Sequence, residues 1–385
     1  VDTLQKANTP CIDDHQLPPE DFETQGRLHA SASRIVLKIL FTARIGRPDF
    51  LWTVNALARN VTKWSVADDK RLYRLISYIN DTQDWKQMSW VGDAPDACWF
   101  AVFVDASFAG DLTDSKSTTG AFVCLVGPNT FVPVTWMCKK QGAVSHSSTE
   151  AEAIALEAAT RMEGIPCLEL WENILNVFYP GPLETGGSHI HETSFNATKK
   201  YRNDEEMMAD VDRVPSNQPP VAIRANGRGR AQLIIYEDNE AVIKITVKGR
   251  SPSLRHIGRT HRINLDSILA LLRADVGVSI KYVNTKQQMA DMFTKGAFTA
   301  EQWSHLCKLV NVGPSGVLME NQPVPANFVT TDVPSSKEEG VINKESGEQI
   351  QTSSEQEEVE VAIPLRKESG VQIRTSSALE EIEVA

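Results

Sequence analysis

The chain has 385 residues, of which 41% are hydrophobic and 23% charged, enough to bury a full core in one or two domains. Its formal net charge of -11 seems to exclude a nucleic-acid partner, but residues 321–385 hold 5 basic and 13 acidic side chains, or -8, which leaves -3 for the remainder. No apolar run reaches the roughly 18 residues of a membrane span and no signal-peptide pattern opens the chain, so a membrane partner is excluded and an intracellular protein is expected.

Residues 1–30 carry no steady apolar period and read as an irregular segment. Helical spacing over 33–45 stops at Gly46, and 49–61 and 66–79 predict two further helices, so that 31–90 reads as a small helical unit. Runs rich in β-formers at 97–108, 120–126 and 131–139, separated by Gly, Pro and Asn turns, predict three antiparallel strands. Residues 147–177 predict one long amphipathic helix opened by Ser/Thr caps and broken near Gly164-Ile165-Pro166. Polar, glycine-rich residues 178–231 read as a disordered insertion.

A strand over 233–236, helices over 240–247 and 262–273 and a strand over 278–283 follow. Parallel strands need helical crossovers, and the two later strands have them, so the expectation is an α/β fold with a five-stranded mixed sheet and helices on both faces. The acidic tail, 313–385, holds a duplication in which 344–362 recur as 367–385, and reads as disordered. The first residue is valine, from which a natural start further upstream is expected. The six cysteines lie scattered without Cys-x-x-Cys spacing and read as free thiols of a reducing compartment.

Asp105, Glu150, Asp238 and Asp291 each fall at a junction of strand and helix. Four carboxylates at one sheet edge point to a divalent-metal nuclease centre, because Mg²⁺ prefers hard oxygen ligands and leaves room for a substrate phosphate. Two such ions about 4 Å apart activate water and steady the leaving oxygen in phosphodiester hydrolysis. Without metal the acids repel one another and at least one pKa should rise. Glu150, in the first turn of its helix, is expected to face the sheet, and Glu152, about 200° away on an ideal helix, cannot share its site and reads as a solvated or strand-contacting acid. Asp111, Asp114 and Glu237 read as turn or strand-edge acids.

Residues 241–265 contain no acid but include Lys244, Lys248, Arg250, Arg255, Arg259 and Arg262 with His256 and His261, a run able to neutralise phosphates. The Ser188-His189-Ile190-His191-Glu192 string has no second ligand cluster at zinc-site spacing. Ser145-His146-Ser147 is no triad, since adjacency in sequence supplies no catalytic geometry.

The order of these strings resembles the ribonuclease H domain of copia-type LTR retrotransposon polyproteins. The resemblance is carried by Asp105-Ala106-Ser107, Asp114-Ser115-Lys116-Ser117-Thr118-Thr119-Gly120, Lys139-Lys140-Gln141, Ser147-Ser148-Thr149-Glu150-Ala151-Glu152, Glu237-Asp238-Asn239 and Lys286-Gln287-Gln288-Met289-Ala290-Asp291. Upstream, Ala43-Arg44-Ile45-Gly46-Arg47-Pro48-Asp49 looks like the segment that joins reverse transcriptase to the nuclease. The likeness covers roughly residues 30 to 312, insertion excepted, with the nuclease over 91–312. Neither Asp13-Asp14 nor Asp68-Asp69 sits in an apolar hairpin, so no polymerase centre is read here.

The resemblance implies a ribonuclease H-like fold and cleavage of the RNA strand of RNA/DNA hybrids with two Mg²⁺ ions, for which Mn²⁺ substitutes. It implies that Asp105 bridges both ions, Glu150 and Asp238 hold the one beside the leaving oxygen, and Asp291 helps hold the one that activates water. Ser148, Asn239, Lys139, Lys140, Arg255, Arg259, His261, Arg262 and Lys286 are the residues expected along the hybrid. The polymerase part of the same polyprotein is the expected partner, in a cytoplasmic virus-like particle or the nucleus. Residues 281–290 lack the histidine that cellular relatives carry there, and slower turnover is expected. A decayed or domesticated copy that binds without cutting, and an integrase- or resolvase-type enzyme acting on DNA, are the alternative readings.

Overall fold

The structure is a computed structural model that describes residues 4–110, 114–179, 204–211, 231–249, 258, 261, 265–275 and 277–314. Its helices begin with α1 (Pro19–Glu23), α2 (Ala32–Ile45), α3 (Leu51–Arg59) and α4 (Val66–Asp81). α4 opens on a capping box, in which Ser65 Oγ accepts the Asp68 N–H and the Asp68 carboxylate accepts the Ser65 N–H. The reading of 1–30 as irregular is corrected at α1. Its Asp21 pairs with Lys70, Asp14 pairs with Arg71, and the Ala7 N–H donates to Asp81 at 2.7 Å, so polar anchors on α4 order a segment that lacks apolar periodicity.

After β1 (Trp85–Gln87), the sheet is laid down by β2 (Trp99–Ser107), β3 (Thr118–Gly127) and β4 (Thr130–Lys140), paired antiparallel in sequence order. Successive residues of a strand face opposite sides. In β2, Trp99, Ala101 and Phe103 enter one apolar cluster, and Phe100, Val102 and Val104 enter another. The first cluster is completed by α2, α3 and α4, so the N-terminal helices share a core with the sheet instead of forming a unit of their own. Trp136 Nε1 donates to the Ala43 carbonyl at 2.9 Å and Asn55 Nδ2 to the Cys138 carbonyl at 3.1 Å, fastening those helices to β4.

The opposite face is covered by α5 (Ser148–Ala159) and α6 (Ile165–Phe178), joined through a π-helical turn over Thr160–Gly164. The helix is thus displaced at the expected Gly-Ile-Pro position but not ended, because Pro166 falls in the first turn of α6, where its missing N–H is tolerated. The reading of 178–231 as a disordered insertion is corrected at α7 (Asp204–Val211), whose Met207 and Val211, four residues apart on one helical stripe, are buried in the second cluster. The rest of that insertion, and the duplicated tail, lie outside the described residues.

β5 (Leu233–Glu237), α8 (Glu240–Lys248), α9 (Leu265–Ala274) and β6 (Val278–Tyr282) follow, with β5 parallel to both β2 and β6. The five-stranded mixed sheet has the order β4-β3-β2-β5-β6, with helices on both faces as expected. α10 (Ala300–Leu309) leads into β7 (Val312–Pro314), which pairs with β1 in a small second sheet that local patterning did not predict. All six cysteines are free. Among the described residues no helix is long and apolar enough to cross a membrane.

Candidate functional site

β2 and β5 are parallel neighbours, with Phe103 opposite Tyr236, so their carboxyl ends open at one edge of the sheet. The chain leaves β2 toward β3 on one side and β5 toward β6 on the other, and the crevice at such a reversal is where open α/β sheets bind ligands. Asp105 lies near the end of β2, Glu237 closes β5, and Asp238 follows it.

Asp105 continues the face of Trp99, Ala101 and Phe103 and is 3% exposed. On this side the 3-10 turn Met289–Phe293 brings in Asp291. Gln288 Nε2 donates to the Val104 carbonyl at 2.8 Å and the Thr294 hydroxyl donates to Asp105 Oδ2, which seats the turn against β2. Gly120, opposite Asp105 in register, makes that approach possible: a Cβ there would stand 2.9 Å from the Ala290 carbonyl oxygen and 3.1 Å from Phe293 Cβ. Lys295 Nζ lies 2.5 Å from Asp291 Oδ1 and 3.7 Å from Asp105 Oδ2.

From the other face α5 contributes Glu152, 7% exposed, and β5 contributes Glu237, fully buried. One carboxylate oxygen of each, Glu152 Oε2 and Glu237 Oε2, is buried without a hydrogen-bond partner. The second Glu237 oxygen accepts the Asn239 N–H at 3.1 Å. Burial pushes Glu152 up to about 11, and the charges of Glu237, Asp105 and Asp238 add to the rise. Burial also raises Glu237 well above the carboxylate range, opposed by the Asn239 N–H and reinforced by Asp238 and Asp105. Asp105 is raised by burial against the pull of Lys295 and Thr294, and Asp291 rises to about 7 through burial and the Asp105 charge. The mutual repulsions join Asp105, Glu152, Glu237, Asp238 and Asp291 in one electrostatic cluster.

The placement of Glu150 at this edge is corrected. Its Oε2 accepts the His146 N–H at 2.9 Å, and its Oε1 lies 3.1 Å from His261 Nε2, with both side chains buried. The angular argument holds, since the two glutamates do face different ways, but the sheet takes the other one. Glu152 belongs to the stripe of Ala155, Leu156 and Ala159, which packs in the sheet-facing cluster, whereas Glu150 belongs to the stripe of Ala153 and Ile154, which packs beside Ile245 and Leu265. Alanines fall on both stripes, so no small-residue pattern in the sequence tells them apart. Glu237, read as a strand-edge acid, is likewise a member of the cluster.

His261 is also corrected as a phosphate contact, because its side chain is 3% exposed and packed against Glu150. Lys140 reaches Asp114 at 2.7 Å, while Lys139 at the end of β4, Lys286 before the Asp291 turn and Ser148 at the start of α5 are exposed. Asn239 caps α8, its Oδ1 accepting the Ala241 and Val242 N–H groups at 3.0 and 3.3 Å. Arg255, Arg259 and Arg262 lie outside the described residues.

Among the described residues no three His, Cys, Asp or Glu side chains stand together as a finished metal cage, and it is the Lys295 ammonium that lies beside Asp105 and Asp291. The donor set nonetheless suits a hard cation, being all carboxylate with two buried oxygens lacking partners.

These raised values set a pH dependence. A carboxyl whose pKa is higher folded than unfolded binds more protons in the folded state, so its stabilising effect is complete at low pH and is lost as pH rises through the folded value. For Asp291 that window runs from 3.8 to about 7. In EDTA, the thermal midpoint should therefore fall between about pH 5 and pH 8, and Asp291→Asn should flatten the slope; a parental midpoint that climbs across this range would contradict the clustering.

No family model matches the chain, and no solved structure matches it. It is 31% identical over 124 residues to a secreted RxLR effector protein 161 of Plasmopara viticola, a match covering 32% of the chain and 82% of that protein. It is 32% identical over 121 residues, 31% of the chain, to a protein assigned to transposon Ty5-1 of Saccharomyces cerevisiae, of which 37% is covered. A third match, 30% identical over 128 residues and 33% of the chain, covers 50% of an uncharacterized mitochondrial protein of Arabidopsis thaliana. The chain thus spans less than two thirds of the length of the latter two proteins.

Proposed function

The chain belongs with the relatives that it matches, and the transposon protein among them supports a retrotransposon-derived protein; from that premise we propose that it is a metal-dependent ribonuclease H, cutting the RNA strand of RNA/DNA hybrids. The observation that carries the reading is the meeting of Asp105, Glu152, Asp238 and Asp291 at the carboxyl ends of two parallel strands, with buried carboxylate oxygens left unpartnered. The strand order, with three antiparallel strands followed by two parallel ones and helices on both faces, supports a ribonuclease H-like fold.

Asp105, Glu152, Asp238 and Asp291 would hold two Mg²⁺ ions, or Mn²⁺ in their place, which activate water and stabilise the leaving oxygen. Glu237, whose carboxyl burial raises well above the usual range, lies beneath them. Asp105 is positioned by the Thr294 hydroxyl and by its place in the central strand. Lys139 and Lys286, exposed on either side of the edge, suit the phosphates of a hybrid, and the acid-free run of residues 241–265 adds positive charge to the sequence. Recognition would rest on the 2′-hydroxyls and groove shape. The polymerase part of the same polyprotein is the partner that would deliver the hybrid.

The test is incubation of the full chain with end-labelled RNA/DNA hybrid, duplex RNA and duplex DNA, in Mg²⁺, Mn²⁺ or EDTA, beside Asp105→Asn. Cutting confined to the RNA strand of the hybrid, absent in EDTA and in the variant, is the expected result. Cleavage of duplex DNA would move the chain to the integrase or resolvase type. Hybrid binding without cutting in either metal would mark a decayed copy.

A further inference from the structure

A cation of the chain's own stands beside the acid cluster. Lys295 comes four residues after Asp291 and directly after Thr294, whose hydroxyl binds Asp105. Its ammonium is 2.5 Å from Asp291 Oδ1 and 3.7 Å from Asp105 Oδ2. The two carboxylates are 14% and 4% exposed, whereas the lysine side chain is 40% exposed, so the charge is applied inside while the stem keeps a way out to solvent. The Trp52 indole donates to the Thr294 carbonyl at 3.1 Å, so α3 fixes the backbone from which Lys295 springs and leaves side-chain rotation as the available movement.

We infer that Lys295 is a built-in counter-ion that holds Asp105 and Asp291 together in the absence of metal and is displaced when a divalent cation takes their oxygens. The inference rests on the metal-centre reading above. Two ionised acids at a buried edge repel one another, and an ammonium on a four-carbon stem, 2.5 and 3.7 Å from their oxygens, supplies a positive charge that can leave. A divalent ion must then compete with a tethered single charge, and the cost of breaking that contact lowers metal affinity. Lys295 is a positioning residue in this account, acting on the metal through the acids.

The test follows Mn²⁺ binding by the electron paramagnetic resonance of the free ion, and thermal midpoints in EDTA and in saturating Mn²⁺, for the full chain and for Lys295→Met and Lys295→Arg. Removing the charge while keeping the stem should tighten Mn²⁺ binding roughly ten- to a hundredfold, the usual scale of coupling between two sites. It should also lower the EDTA midpoint, with saturating Mn²⁺ closing the gap. Lys295→Arg, whose charge is permanent and forked, should bind Mn²⁺ no tighter than the parent, which keeps the test decisive if Lys295→Met does not fold. Equal Mn²⁺ affinity in parent and Lys295→Met, or tighter binding by Lys295→Arg, overturns the counter-ion role and leaves the metal centre standing. No Mn²⁺ binding in any of the proteins overturns the centre itself, and the displacement with it.

Discussion

Glu152→Gln should reduce Mg²⁺-dependent cleavage of a hybrid by about a hundred- to a thousandfold, the scale on which loss of one preorganised electrostatic group is felt, while Glu150→Gln should leave turnover near that of the parent. Glu152 is the carboxylate of α5 that shares charge repulsion with Asp105 and Asp238, and its Oε2 is buried without a partner. An amide keeps the shape and removes the charge a metal would need. In EDTA burial keeps the Glu152 carboxyl protonated and an amide matches it in shape and charge, so Glu152→Gln should melt no lower than the parent, separating lost chemistry from lost folding. Glu150 instead accepts the His146 N–H beside the first turn of its own helix, a contact the amide oxygen of Gln preserves. Its replacement should cost about 1–3 kcal/mol, because the buried charge beside His261 is lost along with its effect on the helix N-terminus. Inactivity of Glu150→Gln together with full activity of Glu152→Gln would return the site to the arrangement first read from the sequence.

Asp49→Ala should destabilise the fold by about 3–5 kcal/mol, the penalty for leaving a buried charge without its partner. Asp49 is 1% exposed and accepts from Arg47 Nε at 2.9 Å, Arg47 Nη2 at 2.8 Å and the Tyr78 hydroxyl at 2.9 Å. The Tyr78 oxygen in turn accepts the Trp303 indole N–H at 3.1 Å, and Arg47 also reaches the Thr82 carbonyl at 2.9 Å. Burial and the Asp49 charge together raise the Tyr78 hydroxyl well above its ordinary pKa, so it stays a donor throughout the working range. One carboxylate thus connects the start of α3, the end of α4 and α10. Replacing both charges, Arg47→Met with Asp49→Leu, should recover most of the loss, because matched apolar groups often equal a buried ion pair. Urea unfolding followed by tryptophan fluorescence measures both, and a loss below about 1 kcal/mol for Asp49→Ala would show the network to be solvated like a surface pair.

Helix and strand positions were legible because they depend on local period. The 33–45 pattern became Ala32–Ile45, stopping at Gly46, and 66–79 became Val66–Asp81, opened by the Ser65 capping box, and the β-rich runs became β2, β3 and β4 within two residues at each end. What escaped were pieces held by partners distant in sequence. β1 and β7 are three residues each and exist through one another, and α7 is ordered by burial of Met207 and Val211 in a core built elsewhere. The N-terminal helices looked separable because their amphipathic faces reveal that something is covered but not what covers it.

The sequence by itself determined the acids at strand ends, Asp105 and Asp238, because a carboxylate after an apolar strand has little choice but to emerge at that edge, whereas Asp291, in a 3-10 turn beyond β6, reaches it because Gln288 and Thr294 bind that turn to β2. It also determined that Glu150 and Glu152 must part company. Only the tertiary structure decided which of them meets the cluster, because α5 is buried on nearly every side, and a helix without a solvent face carries no local mark of which stripe lies on the sheet. The same holds for Lys295, Glu237 and His261: each reads as an ordinary charged residue until neighbours from other segments place a carboxylate against it, and Coulomb interaction in a dry site depends on those distances and not on sequence separation.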